Sequence, residues 1–346
     1  MAAVAVQSPH SAAIPDRVPD LNPTADSQRV RIVDLAAPEA STAIEVSKAC
    51  LENGFFYVRN HGVTQKVLED QFEAGRKFFQ LDSQTKMEIA ASKSKHLGVY
   101  RGYTGMADES LDRANQTQGD TKEGLYIGRE VHPDDDEAQK PFHGPNQWPS
   151  EELVPGFRAA MEAYQAAMMR LAFQLLRLLA LALKLPPEGL HDGFDHAIAT
   201  LRPLHYGPEL SYPDKGIYGC GAHSDYGVLT ILATDANKAL QINTAGEWVY
   251  VEPKPDCFII NLGDILQRWT NDLFKSTRHR VVSVCGCDRY STAFFFEPGF
   301  DTMISVLPQC CSPDRPAKYP PIKFGNYLTD KYAQTHSSFE PSPALA

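Results

Sequence analysis

The chain has 346 residues, of which 43% are hydrophobic, so it can fill a sizeable core as one large domain or two smaller ones. Its 33 basic and 43 acidic side chains give a formal net charge of −10, which argues against nucleic acid as a partner, because that affinity depends on Lys and Arg neutralising phosphates. The seven cysteines form no CxxC pair, and we therefore predict reduced thiols in a cytoplasmic protein.

The N-terminal half is predicted to be mostly helical after a mobile tail over residues 1–28. The tail is rich in Ala, Pro and Ser, shows no apolar period and lacks the basic and apolar segments of a secretory signal. β-Branched and aromatic runs predict strands at Val30–Leu35 and Gly54–Arg59. Apolar residues at helical spacing predict helices at Ser41–Asn53, Thr64–Phe79 and Gln84–Ala91.

Two further segments of this half differ in character. Residues 95–128 are rich in Gly, Tyr and polar residues with weak periodicity, which predicts a long functional loop. Residues 166–185 are the most apolar stretch, but Arg170, Arg177 and Lys184 interrupt it at nearly helical spacing. A membrane span would not carry these cations through its middle, so we predict a buried scaffold helix and no membrane partner.

The C-terminal half is dense in short strands separated by turn residues. The predicted strands, in chain order, are Thr200–Tyr206, Val228–Ala233, Ala239–Asn243, Trp248–Val251, Cys257–Leu262, Val281–Val284, Thr292–Glu297 and Met303–Leu307. A short helix is predicted at Asp264–Asn271, and a helical segment near residues 325–336. Many short strands at even spacing are typical of a sandwich, barrel or jelly roll.

The segment GAHSDYGVLTIL, residues 221–232, carries a candidate metal site. His223 and Asp225 are two residues apart at the start of a strand, so their side chains share a face. A simple hydrogen-bonded His–Asp pair would give the same pattern. His279, at the start of a later β-branched strand, completes a set of two His and one carboxylate. This is the three-ligand face of non-haem Fe(II) oxygenases, which leaves metal positions open on the other side.

Arg289 and Ser291, in CDRYSTAFFFEP, are also two residues apart on a predicted strand and share a face. A guanidinium beside a hydroxyl suits a carboxylate, because the guanidinium gives two charge-assisted hydrogen bonds and the hydroxyl gives a third. An Arg among strands this apolar needs an anionic partner. That partner is either an Asp or Glu of the protein or the carboxylate of a ligand.

In this order, H-x-D, then H-R-V about fifty residues on, then R-x-S ten residues after that His, the motifs resemble the 2-oxoglutarate and Fe(II)-dependent dioxygenase superfamily. The resemblance is to its plant-type, isopenicillin N synthase-like branch. It covers most of the chain, through GFFYVRNHGV (54–63), RKFFQLDSQTKM (76–87), NLGDILQRWTNDLFKSTRHRV (261–281) and KYPPIKFGNYL (318–328).

The resemblance implies a mixed α+β fold. Its core would be a distorted double-stranded β-helix, a jelly roll of the cupin-like kind, with a helical N-terminal region wrapped around it. Residues 29–185 would form the helical region, residues 186–310 the catalytic jelly-roll domain, and residues 311–346 a C-terminal helical segment and tail.

The resemblance also assigns roles to individual residues. It implies that His223, Asp225 and His279 bind Fe(II), and that Arg289 and Ser291 bind the far carboxylate of 2-oxoglutarate. Tyr206 would bind the co-substrate as well, although this chain has Leu204 and Gly207 where relatives usually have Asn and Pro.

The implied activity is that of an oxidoreductase using Fe(II), 2-oxoglutarate and O₂, with ascorbate helpful in vitro. It would release succinate and CO₂ while hydroxylating, demethylating or desaturating a small molecule, as in secondary metabolism, without an obligatory protein partner. Three alternatives stay open. They are an oxidase of the isopenicillin N synthase kind that needs no keto acid, a non-catalytic metal- or ligand-binding protein, and a zinc hydrolase, which leaves the R-x-S pair unexplained.

Aromatic residues are the main candidates for the substrate pocket. The candidates come from the loop-rich segment and from the strand of Arg289, and are Tyr100, Arg101, Tyr103, Tyr126, Phe294 and Phe296. Core packing would explain each of them equally well, and strand alternation places Phe295 rather than its two neighbours on the Arg289 face unless a bulge changes the phase. An aromatic pocket would suit a small, partly planar heterocycle, alkaloid or phenolic.

Overall fold

The computed structural model describes residues 30–94, 98–336 and 339, so the predicted tail over residues 1–28 lies outside the described part. The described residues form six α-helices and fourteen β-strands. The helices are α1 (Glu39–Glu52), α2 (Gln65–Phe79), α3 (Ser83–Lys86), α4 (Phe157–Ala182), α5 (Asp264–Trp269) and α6 (Phe324–Thr335).

The strands form a large sheet, a small sheet and one two-stranded ribbon. In chain order the strands are β1 (Arg31–Asp34), β2 (Phe55–Arg59), β3 (Gly102–Thr104), β4 (Lys122–Tyr126), β5 (Ala197–Tyr206), β6 (Cys220–His223), β7 (Leu229–Thr234), β8 (Leu240–Thr244), β9 (Glu247–Tyr250), β10 (Cys257–Leu262), β11 (His279–Val281), β12 (Arg289–Gly299), β13 (Met303–Ile304) and β14 (Ile322–Lys323). The large sheet has the order β1-β2-β10-β7-β12-β5-β4-β3, the small sheet β6-β11-β8-β9, and the ribbon β13-β14.

The two main sheets face each other across a shared interior, which makes the core a jelly roll. Apolar side chains from both sheets meet there in two clusters. One joins Ile242 of the small sheet to Ile259 of the large one, and the other joins Val281 to Leu204. Strands β1 to β4 come from the N-terminal half but pair within the large sheet, so this half contributes strands to the core as well as helices around it.

The outer face of the large sheet is covered by helices. Helix α4 packs against α1, α2 and strands β7 and β12. By length and composition α4 could cross a membrane, yet half of its apolar window is buried inside the protein. It occupies the position predicted for a scaffold helix. Helix α2 begins after Thr64, whose side chain accepts a hydrogen bond from the Val67 amide and caps the helix.

Two sequence-based expectations about local structure are wrong. Residues 95–128 were expected to form one long loop, but they contain β3 and β4, which extend the large sheet. Cys285 and Cys287 were expected to be reduced, but they are joined by a disulfide. Residues 285–287 form a bend between strands β11 and β12, and this bend brings the two sulfur atoms together.

Candidate active site

His223 and His279 stand directly opposite each other on the neighbouring strands β6 and β11. Their ring centroids are 4.3 Å apart. The Nδ1 atom of His223 lies 2.9 Å from the Gly221 carbonyl oxygen, and Nδ1 of His279 lies 3.1 Å from that of Thr277. Each Nδ1–H therefore donates to a backbone carbonyl, which fixes the ring and leaves Nε2 with a free lone pair.

Asp225 completes the cluster from the turn after β6. Its Oδ1 atom lies 3.6 Å from Nε2 of each histidine. Its Oδ2 atom accepts hydrogen bonds from the Thr230 hydroxyl and, at 2.6 Å, from the Asn261 amide. The two donors occupy one carboxylate oxygen and leave the other facing the histidines, so Asp225 is prepared to act as a one-oxygen ligand.

This arrangement fits a ferrous ion. One ligand atom from each of His223, Asp225 and His279 lies within 4.8 Å of the others. Two imidazoles and one carboxylate on one side are the donor set of non-haem Fe(II) oxygenases. Burial opposes ionisation of Asp225, but the two histidines and Thr230 outweigh it and hold its pKa well below the ordinary value. The carboxylate is thus ionised and ready to bind a cation.

Arg289 lies at the start of β12, opposite Tyr206 of β5. Its side chain is 3% exposed, and its Nη1 atom is buried without a hydrogen-bond partner. The guanidinium carbon lies 4.8 Å from the centroid of the Tyr206 ring, and Nε lies 3.3 Å from the Asn237 carbonyl oxygen. No Asp or Glu of the described residues forms an ion pair with Arg289. Of the two partners allowed by the sequence, the ligand carboxylate is therefore favoured.

Ser291 shares the interior face of β12 with Arg289. It is 2% exposed and pairs with Leu204 on one side and with Thr234 on the other. Tyr206 is buried on the same interior side. The structure thus brings together the three residues predicted to bind 2-oxoglutarate. Leu204, which replaces the usual Asn, belongs to the apolar cluster between the sheets.

Three of the six predicted pocket residues gather at the end of the sheet near β4. The Tyr126 hydroxyl lies 2.8 Å from Nε2 of His336, and the Tyr100 ring packs 5.1 Å from that of Tyr126. Arg101 is buried; it donates to the carbonyls of Tyr100 and Phe142, and its Nε has no partner. These residues meet the C-terminal segment that follows α6, which closes this side of the interior.

The other three pocket candidates face away, and their assignment to the pocket is corrected. The Tyr103 hydroxyl donates a hydrogen bond to Glu123. The adjacent residue along that strand, Lys122, pairs with Tyr206 on the interior face, so Glu123 and Tyr103 lie on the opposite face. Phe294 and Phe296 are fully buried in the main core, where Phe296 packs against Phe173 of α4. The strand keeps its alternation, with a bulge only after Glu297, so Phe295 and Glu297 face the interior instead.

Sequence reasoning missed the charged residues of this interior. Arg202 lies on β5, four residues before Tyr206 and on the same face of the strand. Its guanidinium carbon is 4.3 Å from the centre of the Tyr126 ring, and it forms an ion pair with Glu109. Glu297 is 7% exposed. Tyr332 of α6 stacks on His336 with centroids 4.5 Å apart. Counting alternate residues from Tyr206 and from Arg289 would have found Arg202 and Glu297.

Comparisons with known proteins agree with this geometry. Residues 23–151 match the family described as non-haem dioxygenase in morphine synthesis N-terminal. Residues 195–298 match the 2OG-Fe(II) oxygenase superfamily. The chain is similar to azadirone synthase LFS of Melia azedarach, with 35% identity over 89% of this chain and 93% of the relative. It is also similar to the 2-oxoglutarate-Fe(II) type oxidoreductase hxnY of Emericella nidulans, with 34% identity over 88% and 87%.

Solved structures give the same result. A full-length Neurospora crassa protein in complex with alpha-KG and thymine matches with a TM-score of 0.78 and 26% identity, over 90% of this chain and 98% of that one. JOX2 in complex with 2OG, Fe and JA matches with a TM-score of 0.72 and 26% identity, over 96% and 94%. This chain belongs to the 2-oxoglutarate and Fe(II)-dependent oxygenase superfamily, and it is an oxidoreductase that couples 2-oxoglutarate to the oxidation of a small metabolite.

Proposed function

We propose that this protein hydroxylates a small, planar, polar metabolite, or oxidises it by the related routes of demethylation or desaturation. His223, Asp225 and His279 hold Fe(II), and Arg289, with Ser291 and Tyr206, binds the far carboxylate of 2-oxoglutarate. One observation carries the proposal. A buried guanidinium nitrogen of Arg289 lacks a partner, although burying such a group unpaired is costly.

Fe(II) held by His223, Asp225 and His279 would supply the oxidation chemistry, in which O₂ and 2-oxoglutarate are consumed, 2-oxoglutarate leaves as succinate and CO₂, and the substrate is oxidised. The protein supplies position. The backbone carbonyls of Gly221 and Thr277 hold the two imidazoles, and Thr230 with Asn261 turns one oxygen of Asp225 toward them. Side chains fixed in this way would hold the ion without rearranging when it binds.

Arg289 and Ser291 fix the distance between the co-substrate and the metal. Both lie on β12, which also pairs along β7, the strand that carries Thr230. A carboxylate anchored by a guanidinium fork and a hydroxyl cannot slide along the strand. The keto end is then presented to the same point at every turnover, which is the positioning effect that accelerates a reaction between bound groups.

The substrate is proposed to be a flat molecule with polar edges. The interior beyond the metal offers the rings of Tyr126 and Tyr332 together with the charged groups of Arg202 and Glu297. Aromatic walls with a few polar groups are typical of sites for small planar ligands. Thymine, the ligand in the Neurospora crassa complex, has this character. We also propose that the protein is cytoplasmic and needs no obligatory protein partner, on the basis of its composition.

An anaerobic titration tests the proposal. Metal-free protein receives Fe(II) and then 2-oxoglutarate, and the weak visible charge-transfer band of a keto acid chelated to ferrous iron is followed. We expect the band in the wild type and its loss in His279→Ala. In Arg289→Ala the half-saturating 2-oxoglutarate concentration should rise about 100-fold, because two charge-assisted hydrogen bonds are lost at about 1.5–3 kcal/mol each, with partial compensation by water.

Arg280→Ala is the matched control. Arg280 follows His279 directly, but its side chain stacks on Trp248 outside the interior, 4.0 Å from the ring centroid. Its removal changes the net charge by the same amount and should leave the 2-oxoglutarate titration unchanged. A wild-type protein that binds iron but gives no band with 2-oxoglutarate would contradict the proposal and favour an oxidase that needs no keto acid.

A further inference from the structure

Glu297 lies on the interior face of β12, at the opposite end from the proposed co-substrate site. Alternate residues of this strand face the interior, from Arg289 and Ser291 to Phe295 and Glu297. At about 3.4 Å per residue, the six steps along the strand from Ser291 to Glu297 span about 20 Å. Phe295 pairs with Thr230, whose hydroxyl holds Asp225. Glu297 is therefore beyond the metal ligands, where a substrate would sit.

The carboxyl of Glu297 lacks a partner within the described part of the chain. No hydrogen bond or ion pair of the described residues involves it, although the side chain is 7% exposed. Its oxygens are not among the buried side-chain atoms that are sealed without a partner, so they still border open space. Burying a carboxyl group without hydrogen bonds is unfavourable, and a ligand that supplied one would remove that cost.

The chain keeps space for this side chain. Gly227 lies against it, and a Cβ atom at that position would come within 2.5 Å of Glu297 Cγ and 2.8 Å of its Oε1. Any larger residue at position 227 would displace Glu297 or the turn that carries Asp225. The closeness of Gly227 explains where the carboxyl sits, but a glycine offers it no hydrogen-bond donor from a side chain.

The groups facing Glu297 come from three other elements. Asp225 in the turn after β6 and Arg101 before β3 act on it electrostatically, and Tyr332 of α6 is near enough to be affected by its charge. Burial and, to a smaller extent, Asp225 raise the pKa of Glu297 to about 8, and Arg101 opposes them. Arg101 forms no ion pair with Glu297 among the described residues, and its terminal nitrogens donate instead to the carbonyls of Tyr100 and Phe142.

The walls of this space are aromatic. Tyr332 and Tyr226 have ring centroids 6.3 Å apart, and Phe295 is only partly buried on the Glu297 face. A flat ring between such walls would meet the carboxyl oxygens of Glu297 at one edge. The complementary ligand is a heterocycle or phenol that carries its own N–H or O–H group.

We propose that Glu297 is a specificity-determining residue, whose carboxyl oxygen accepts a hydrogen bond from an N–H or O–H group of a planar polar substrate. The inference rests on the proposed function. A carboxyl oxygen accepts such a bond whether or not the group is ionised. A site built around a substrate hydrogen bond rejects analogues that lack the donor far more strongly than an apolar pocket rejects a changed methyl group.

The test uses the anaerobic protein loaded with Fe(II) and 2-oxoglutarate. Each probe is titrated, and its binding is read from the change in the visible band. The probes are matched sets that differ only by methyl groups on donors. They are thymine with 1-methylthymine, 3-methylthymine and 1,3-dimethylthymine, in which both donors are blocked; 2-pyridone with N-methyl-2-pyridone; and 4-methylphenol with 4-methylanisole. Isothermal titration calorimetry of the same complexes gives a second measure of affinity.

In the wild type we expect the donor-bearing member of at least one set to bind about 10-fold or more tightly than its methylated partner. Glu297→Met, of similar length but without an acceptor, should reduce that ratio to about 1. Glu297→Gln keeps an acceptor oxygen and should keep part of the ratio. Glu88→Gln, a change at an exposed glutamate, is the matched control and should behave as the wild type.

The possible contrary results distinguish failure of the inference about Glu297 from failure of the proposed function. If Glu297→Met keeps the wild-type ratio, the inference is wrong while the proposed function stands. If 2-oxoglutarate gives its band but no probe perturbs it, the substrate class inferred for Glu297 is wrong. If the band itself is absent, the proposed function fails first. Should Glu297→Met not form the band, Glu297→Ala takes its place, because it removes the acceptor without adding a new side chain.

Discussion

Asp225→Asn is expected to lose iron as completely as Asp225→Ala, although an amide has nearly the shape of a carboxylate. The Thr230 hydroxyl and the Asn261 amide both donate to Oδ2 of Asp225. In the variant only the amide oxygen can accept both hydrogen bonds, so the NH₂ group must turn toward the histidines. An NH₂ group has no lone pair to offer a metal.

Fe(II) affinity should therefore fall by more than about 100-fold. Losing a residue that only hydrogen-bonds to a metal ligand already lowers metal affinity about 10–100-fold, and here the ligand atom itself is lost. Anaerobic equilibrium dialysis measures this affinity, and succinate release in air measures the activity, which should fall below about a thousandth of the wild-type rate. Asp70→Asn, the same chemical change at an exposed helix position, is the control and should bind iron normally.

A second substitution tests the cause. Asn261→Asp places an acceptor where the donor was, so the amide at position 225 in Asp225→Asn/Asn261→Asp can donate its NH₂ to residue 261 and turn its oxygen to the metal. We expect the double variant to recover part of the iron affinity, although the neutral amide oxygen is a weaker ligand. If Asp225→Asn binds iron like the wild type, the two donors do not control which atom faces the histidines.

The metal and co-substrate residues could be predicted from the sequence because their spacing is local. His223 with Asp225, and Arg289 with Ser291, are pairs two residues apart, and an extended chain places such pairs on one face whatever else surrounds them. The pairing of His223 with His279 across β6 and β11 is a long-range contact. Spacing along the chain does not predict such a contact; the sequence indicated His279 only as a histidine at the start of another strand.

The edge strands β3 and β4 could not be predicted because their residues do not look like a strand. In β4 the charged residues Lys122 and Glu123 are both buried, one on each face. Alternation of polar and apolar residues is therefore absent. These charges are tolerated because partners reach them from distant segments, Glu109 for Lys122 and His205 for Glu123, and such partners cannot be read from a local window.

The choice of Phe294 and Phe296 as pocket residues failed for a different reason. Alternation along the strand from Arg289 places both side chains on the face opposite the pocket. Aromatic character alone, which suggested the pocket, does not say which face of a strand a residue occupies. Glu297, which has the correct phase, reads as an ordinary surface residue at the end of a strand. Its burial depends on Gly227 and on α6, which no count along β12 can reveal.

The second large effect concerns a buried ion cluster at the closed end of the interior. Glu109 accepts hydrogen bonds from Arg202 and, at 3.0 Å, from the Tyr126 hydroxyl. Its other oxygen lies 3.1 Å from Nζ of Lys122. Glu109 also pairs as an isolated bridge with His336, so it ties the C-terminal segment to the sheet. All of these side chains are buried.

Glu109→Gln should lower the free energy of unfolding by about 3–5 kcal/mol at pH 7, because it leaves two buried cations with a single carboxylate, that of Asp120. Burial opposes ionisation of Glu109, but Arg202 and Lys122 outweigh it and hold its pKa well below the ordinary 4.5. A lowered pKa gives stability above pH 4.5 that is lost as the pH falls toward the folded-state value. The difference between wild type and variant should therefore shrink below about pH 4.5.

Urea unfolding of both proteins at several pH values measures the effect, and a partner substitution separates charge from packing. In Glu109→Gln/Arg202→Met one stranded cation is removed, so the double variant should be more stable than the sum of the two single changes predicts. Asp70→Asn, which breaks the exposed ion pair with Lys66, should change the stability little. If Glu109→Gln is as stable as the wild type at pH 7, water enters this end of the interior and the cluster does not close it. The C-terminal segment would then be held by the rings of Tyr332 and His336 rather than by charge.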